Sequence, residues 1–181
     1  TNDKNVTFKR VISVDDAYMF AVDDTITNNT GTPISLASYG RVTRFNQPEH
    51  ASATYVLHDG LLGVMGQDGL QEIKYSNHED DKDISFKDVT GGWVGITDKY
   101  WAATLVPPQA EKFTARFSHF TDGRPRYQSD LLSAPVTIDA GQSQTIKNHV
   151  FAGAKVVQDI KNYETKLGIK QFELLIDWGW F

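Results

Sequence analysis

Gly91-Gly92-Trp93-Val94-Gly95-Ile96-Thr97-Asp98-Lys99-Tyr100-Trp101-Ala102-Ala103-Thr104-Leu105-Val106-Pro107 decides the fold. Two runs rich in β-branched and aromatic residues flank the polar turn Thr97-Asp98-Lys99, and Pro107-Pro108 stops the second run. That pattern is a β-hairpin. Downstream, Lys112 to Thr121 alternates Phe113, Ala115, Phe117 and His119 against Thr114, Arg116 and Ser118, as a strand with one buried face does. Asp122-Gly123 turns it into Arg126-Tyr127-Gln128, and Val136-Thr137-Ile138 and Thr145 to Phe151 supply two further strands.

Upstream the same texture continues. Val6 to Val14 and Tyr18 to Thr27 read as strands joined by the turn Asp15-Asp16-Ala17. Asn28-Asn29-Thr30-Gly31-Thr32-Pro33 is a second turn, dense in residues that tolerate positive φ or fix φ. Ile34 to Phe45 reads as one long strand, with Gly40 marking a bulge. Between 46 and 90 the signal weakens. Pro48, Gly60, Gly63, Gly66 and Gly69 interrupt a faintly apolar stretch, which reads as short strands joined by long loops.

One helix stands out, from Ala154 to Leu167. Val156, Ile160, Tyr163 and Leu167 share one face of a 3.6-residue period, and Gly168 follows where a helix is capped. A second short helix or interfacial segment is expected from about Ile169. Many antiparallel strands followed by helices predict a mainly β fold: a β-sandwich over 1–153 with a C-terminal helical segment over 154–181.

The composition narrows function more than it specifies it. With 181 residues, 40% of them hydrophobic and 23% charged, the chain is one globular domain or a large piece of one. A net charge of -5 without a Lys/Arg block gives no electrostatic reason to bind nucleic acid, and the absence of cysteine excludes disulfide and thiolate chemistry. Thr1 in place of Met points to a processed chain or an excised piece.

The five histidines show no metal spacing. His78-Glu79-Asp80-Asp81 with Asp83 is the best oxygen-rich run, yet it lacks the glycine of a calcium loop and reads as a solvated loop. Gly60, Gly63 and Gly66 lack the Lys-Ser/Thr of a phosphate loop. Neighbours in Asp15-Asp16 and Asp23-Asp24 would point to opposite faces of a strand, so turn and edge roles are favoured over acid–base work. No serine sits in a Gly-x-Ser-x-Gly elbow. No catalytic, cofactor or metal residue is assigned.

The chain closes on Phe172-Glu173-Leu174-Leu175-Ile176-Asp177-Trp178-Gly179-Trp180-Phe181. Aromatic residues with polar edges gather where an apolar phase meets water, and about ten residues cannot span a bilayer, which takes about 20. This ending is expected to approach a membrane, against the alternative of a buried last element.

Gly91-Gly92-Trp93 with Tyr100 and Pro107, together with Asp177-Trp178-Gly179-Trp180-Phe181 at this separation, resembles the YidC-type membrane protein insertases. The resemblance covers essentially the whole chain. It implies the large periplasmic domain between the first two membrane helices, an antiparallel β-supersandwich similar to sugar-mutarotase folds with C-terminal helices. A further β-rich part precedes Thr1 in that family, so the chain corresponds to the C-terminal portion of the domain. Residues 154–181 would then lead to a transmembrane helix absent from this chain.

The implied role is non-catalytic and needs no cofactor. It is to assist insertion and folding of inner-membrane proteins at the periplasmic face, with Sec translocon subunits and nascent membrane proteins as partners. The insertase groove lies among membrane helices that this chain lacks, so the piece alone should insert nothing. Asp177 would cap the following helix, Trp178 and Trp180 would meet the membrane surface, and Gly91, Gly92, Trp93, Tyr100 and Pro107 would be structural, with Trp93, Tyr100 and Trp101 packed in a hairpin core. The alternative reading is a carbohydrate- or peptide-binding sandwich.

Overall fold

The computed structural model describes residues 1–48, 57–77 and 82–179. In chain order the strands are β1 (Val6–Val14), β2 (Met19–Asn28), β3 (Ile34–Leu36), β4 (Tyr39–Phe45), β5 (Gly60–Met65), β6 (Leu70–Lys74) and β7 (Ile84–Thr90). They continue with β8 (Gly92–Thr97), β9 (Trp101–Val106), β10 (Lys112–Phe120), β11 (Arg126–Ser133), β12 (Val136–Ile138) and β13 (Ser143–Ala154). Helix α1 (Val157–Leu167) and a 3-10 turn at Phe172–Leu175 follow.

A seven-stranded antiparallel sheet, β1-β2-β13-β9-β8-β5-β6, packs against a four-stranded one, β4-β11-β10-β7, while β12 and β3 form a small pair. This is the mainly β sandwich with a helical C-terminus that the sequence predicts. The middle of the large sheet has apolar contacts on both faces. Leu61, Met65, Val94 and Ile96 meet Phe113, Ala115, Phe117, Tyr127 and Leu131 of the second sheet. Leu62, Val64, Trp93 and Phe151 meet Ile160, Tyr163, Ile169, Phe172 and Leu175 of the C-terminal segment. Every residue of β5 and β8 is therefore buried.

Burial on both faces explains why 60–65 gives no alternating signal: a strand covered on both sides needs no polar face. Lys112–Phe120 does alternate, because one face looks to the core and the other outward, where Arg116 pairs with Asp130 and Asp83. Gly60 and Gly63 lie inside β5, in ladders with β6 and β8, rather than at the opening of a helix.

Three expectations change. Ile34 to Phe45 is two strands, not one: β3 pairs with β12, whereas β4 joins the four-stranded sheet after the break at Ala37-Ser38. Gly40 forms no bulge, since β4 runs in unbroken register with β11 from Phe45↔Arg126 to Tyr39↔Leu132. The helix begins at Val157, because β13 holds its ladder with β9 as far as Ala154. Of the face inferred for it, Ile160 and Tyr163 are buried, while Val156 and Leu167 lie at its ends and stay largely exposed. Gly168 takes the left-handed cap. His78 to Asp81 lies outside the described residues.

The β1–β2 turn is tied to this helix. The Asp15 carboxylate accepts N–H bonds from Ala17 and Met19 and the Tyr163 hydroxyl at 2.7 and 2.8 Å. Burial pushes the Asp15 carboxyl up, but these donors and Lys166 outweigh it and hold its pKa below the ordinary value. A depressed carboxylate contributes stability above its unfolded pKa and loses it as pH falls through the folded one. Tyr163→Phe should therefore cost about 1–2 kcal/mol near neutral pH. Urea unfolding of the two proteins across pH checks this, and the gap should narrow once pH drops below about 4.

Candidate functional site

The glycine pair and the chain end meet through one side chain, Gln109. Its amide NH2 donates to the Gly92 and Pro107 carbonyls at 2.8 and 2.9 Å. Its oxygen accepts the Gly92 and Lys170 N–H groups, each at 3.0 Å. Trp93 lies flat in the core at 0% exposure, its indole N–H on the Lys170 carbonyl at 3.0 Å. Its ring meets Phe172 edge-on at 5.5 Å, and Phe172 in turn meets Phe151 at 6.0 Å.

Glycine is required at 92 because φ is +144° and a Cβ there would overlap the Val64 carbonyl. That approach seats β8 against the end of β5, where Gly92 pairs with Met65, and Gly66 N–H donates to the Gly91 carbonyl at 2.8 Å. The segment 91–109 is thus a bracket that holds residues 169–175 against the large sheet.

The second group of residues lies where β13 ends and β5 begins. Asp177 accepts the His58 N–H at 2.8 Å and, with its other oxygen, the Gly179 N–H at 2.8 Å. Its oxygens serve the sheet and its own turn. His58 in turn contacts the Leu61 carbonyl through Nε2 at 3.0 Å. Trp178 is half exposed, with Lys161 Nζ 5.1 Å from its ring. Trp180 and Phe181 lie outside the described residues.

Around Asp177 runs a network of charges. Arg44 pairs with Asp98, which also accepts the Tyr75 hydroxyl at 3.0 Å. Lys155 Nζ donates to Thr97 at 2.8 Å. Burial lowers the Lys155 pKa against the pull of Asp59, Asp177 and Asp98. Burial also raises that of Asp59, helped by Asp98, and the Asp59 Oδ1 atom is buried with no hydrogen-bond partner. Asp59, Asp98 and Asp177 thus share the field of Arg44 and Lys155, which holds the ends of several strands together. Among the described residues no three His, Asp or Glu side chains come together in a way that could hold a metal ion.

The structure corrects one expectation here. Tyr100 and Trp101 do not pack in the hairpin core: they are 65% and 58% exposed, at the tip of the β8–β9 turn, which Asp98 N–H closes on the Trp101 carbonyl. Only Trp93 of the three is buried. Gly91, Gly92, Trp93 and Pro107 come together at the opposite end of the hairpin, away from Tyr100. Gln109, His58 and Lys155 went unread, because their partners are distant in sequence and are backbone groups or single charges. The polar Gln109 straight after Pro107-Pro108 was the only local hint.

The whole chain, residues 1–181, matches the family model described as the YidC periplasmic domain. A "Membrane protein insertase YidC" of Brucella melitensis is 82% identical over 100% of this chain and 30% of its own length. The one from Rhizobium meliloti is 62% identical over the same shares. The chain spans about 30% of the length of the curated relatives it matches.

Gln109→Ala leaves the Gly92 amide groups and the Lys170 N–H without partners. It should cost about 2–3 kcal/mol in denaturant unfolding and speed amide hydrogen exchange across 169–176 before the rest of the sandwich opens. Gly92→Ala should cost more than about 4 kcal/mol, through both strain and overlap, and leave the chain insoluble or unfolded by circular dichroism.

Proposed function

Because this chain belongs to the YidC periplasmic domain family, we propose that it serves as the periplasm-facing, non-catalytic part of a membrane protein insertase. In this reading residues 1–153 form the sandwich, and residues 154–181 form the helical segment that leads to a transmembrane helix. Partners are nascent membrane proteins and Sec translocon subunits, and the site of action is the periplasmic face of the bacterial inner membrane. Among the described residues no helix is long and apolar enough to cross a membrane, and in this reading insertion itself belongs to other parts of the whole protein.

The observation that carries this reading is the bracket. A domain that must hold a fixed attitude to a membrane needs its exit segment fixed to its body, and Gln109 and Trp93 fix Lys170 and Phe172 in that way. Asp177, Trp178, Gly179, Trp180 and Phe181 would be the membrane-proximal residues. Trp178 supports that role through its half-exposed ring with a cation over it, a pairing suited to the headgroup region.

For protein partners the large sheet offers β1, an edge strand of nine residues on which Phe8, Val11, Ile12 and Val14 are all about half exposed. Its outward N–H and C=O groups can pair with an extended segment of another chain, and its side chains add apolar contact.

Trp178→Ala with Trp180→Ala in the full-length protein should lower insertion of a model membrane protein several-fold. The isolated 181-residue chain should keep its fold, since an exposed side chain costs about 0.5 kcal/mol or less to remove. Insertion unchanged from wild type would sink the membrane-proximal assignment.

A further inference from the structure

The end of the sandwich that carries Trp178 also carries three other exposed rings, and the sheet registers gather them there. Ala154, at the end of β13, pairs with Trp101, and Thr97 pairs with Gly60 at the start of β5, two residues after the His58 that Asp177 holds. Arg44 reaches from β4 to Asp98 beside the tip, which brings Phe45 to the same end. Phe45 is 51% exposed, Tyr100 65% and Trp101 58%. A shallow hollow between β4 and the hairpin is lined by Arg44, Phe45, Asp98 and Trp101.

These rings are paired with cations. Lys99 Nζ lies 5.1 Å from the Tyr100 centroid, and the Arg124 guanidinium lies 5.0 Å from that of Phe45. The carboxylates nearby are engaged. Asp98 is held by Arg44 and Tyr75, Asp122 by Arg126 at 2.7 Å, and Asp177 by the His58 and Gly179 N–H groups. Asp59 is the exception: its buried Oδ1 makes no such bond, and burial with Asp98 raises its pKa against Lys155, His58 and Arg44. Among the described residues the exposed groups here are the three rings, Lys99 and Arg124, with the exposed Asp122 carboxylate paired to Arg126, although the chain as a whole carries -5. The acidic turn Asp15-Asp16 joins β1 to β2, with β13 between β2 and β9, and Asp15 there is held by the Tyr163 hydroxyl and the Ala17 and Met19 N–H groups.

Apolar rings with basic groups beside them suit one environment, the headgroup layer of a bilayer with acidic lipids. The ring enters the boundary, and the long basic side chain reaches the phosphates. A protein partner is the poorer fit. Chain segments dock by backbone pairing along an edge strand, and of this patch only Arg44 and Phe45, the last two residues of β4, lie on one; the rest is turns and the start of the inner strand β9.

We propose that the β8–β9 tip, with Lys99, Tyr100 and Trp101, and its neighbours Phe45 and Arg124 form a second contact with the membrane surface, through anionic phospholipid headgroups. This rests on the reading that the domain works beside a bilayer, and it adds a point of contact to that of Trp178. Two contacts fix the tilt of the sandwich where one would leave it free to swing. The β9–β8–β4 corner would face the lipid and the β1 edge would be carried clear of it.

The test is flotation of the 181-residue chain with vesicles of phosphatidylglycerol and phosphatidylethanolamine, and separately with vesicles of phosphatidylcholine alone. Wild type should float with the first, release as salt is raised, and bind the second weakly. Tyr100→Ser with Trp101→Ser, and separately Lys99→Glu with Arg124→Glu, should each weaken flotation about tenfold. Melting temperatures should hold, because all four side chains are exposed. Absence of wild-type flotation, equal flotation on phosphatidylcholine, or unchanged flotation of both double variants would overturn the proposal. The insertion assay on Trp178 and Trp180 has its own readout, so either reading can fail while the other stands.

Discussion

Gln109 is the point on which the arrangement depends. Both ends of its amide are used: the NH2 group spans two carbonyls on the hairpin, and the oxygen collects one N–H from the hairpin and one from Lys170. An amide side chain can satisfy donors and acceptors together, which neither a carboxylate nor an ammonium can do. Beside it Trp93 is wholly buried, with its indole N–H on the Lys170 carbonyl. The two conspicuous stretches of the sequence, the Gly-Gly-Trp hairpin and the aromatic terminus, are therefore one mechanical unit, although more than sixty positions separate Gln109 from Lys170.

That unit works because the large sheet is covered twice. Phe113, Phe117 and Tyr127 cover one face and α1 with the Phe172 turn covers the other, so β5 and β8 are fixed from both sides. A helix of eleven residues is marginal alone in water, and α1 has no side-chain N-cap. Its order comes from Ile160 and Tyr163 in the core and from the Tyr163–Asp15 bond to the first hairpin. The polypeptide thus closes on itself, with its first turn, its central hairpin and its last described residues bound to one another.

How far the sequence could be read follows from how each segment is buried. β10 was legible because its two faces differ, and the β1–β2 and β8–β9 hairpins because polar turns separate β-branched runs. β5 was not, since burial on both faces removes the alternation that betrays a strand. Ile34 to Phe45 was misjudged because the switch between sheets at Ala37-Ser38 needs neither Gly nor Pro and leaves no local mark. The size of Trp101 alone points to a core position, which the structure does not give it. Residue type cannot tell a ring that fills a core from one that waits at a boundary. The hydrogen bonds of Gln109 and Asp177 were illegible for a further reason: their partners are backbone groups, which carry no residue identity.

The distinction between Trp93 and Trp101 carries the functional argument further than any motif. Both stand on the same hairpin, eight positions apart, yet one is at 0% exposure and the other at 58%. Trp93 spends its indole N–H on Lys170, as a buried tryptophan must. Trp101 heads a strand that alternates, and it lies on the face opposite the buried Ala102, Thr104 and Val106. Leaving so large a ring in water forgoes a stabilisation of about 2 kcal/mol or more, and Tyr100 beside it repeats the omission. A sandwich that packs Phe113, Phe117, Phe151 and Phe172 to 2% exposure or less has no difficulty burying rings. Its exposed rings at the end that carries Trp178 are the observation on which the proposed membrane contact rests.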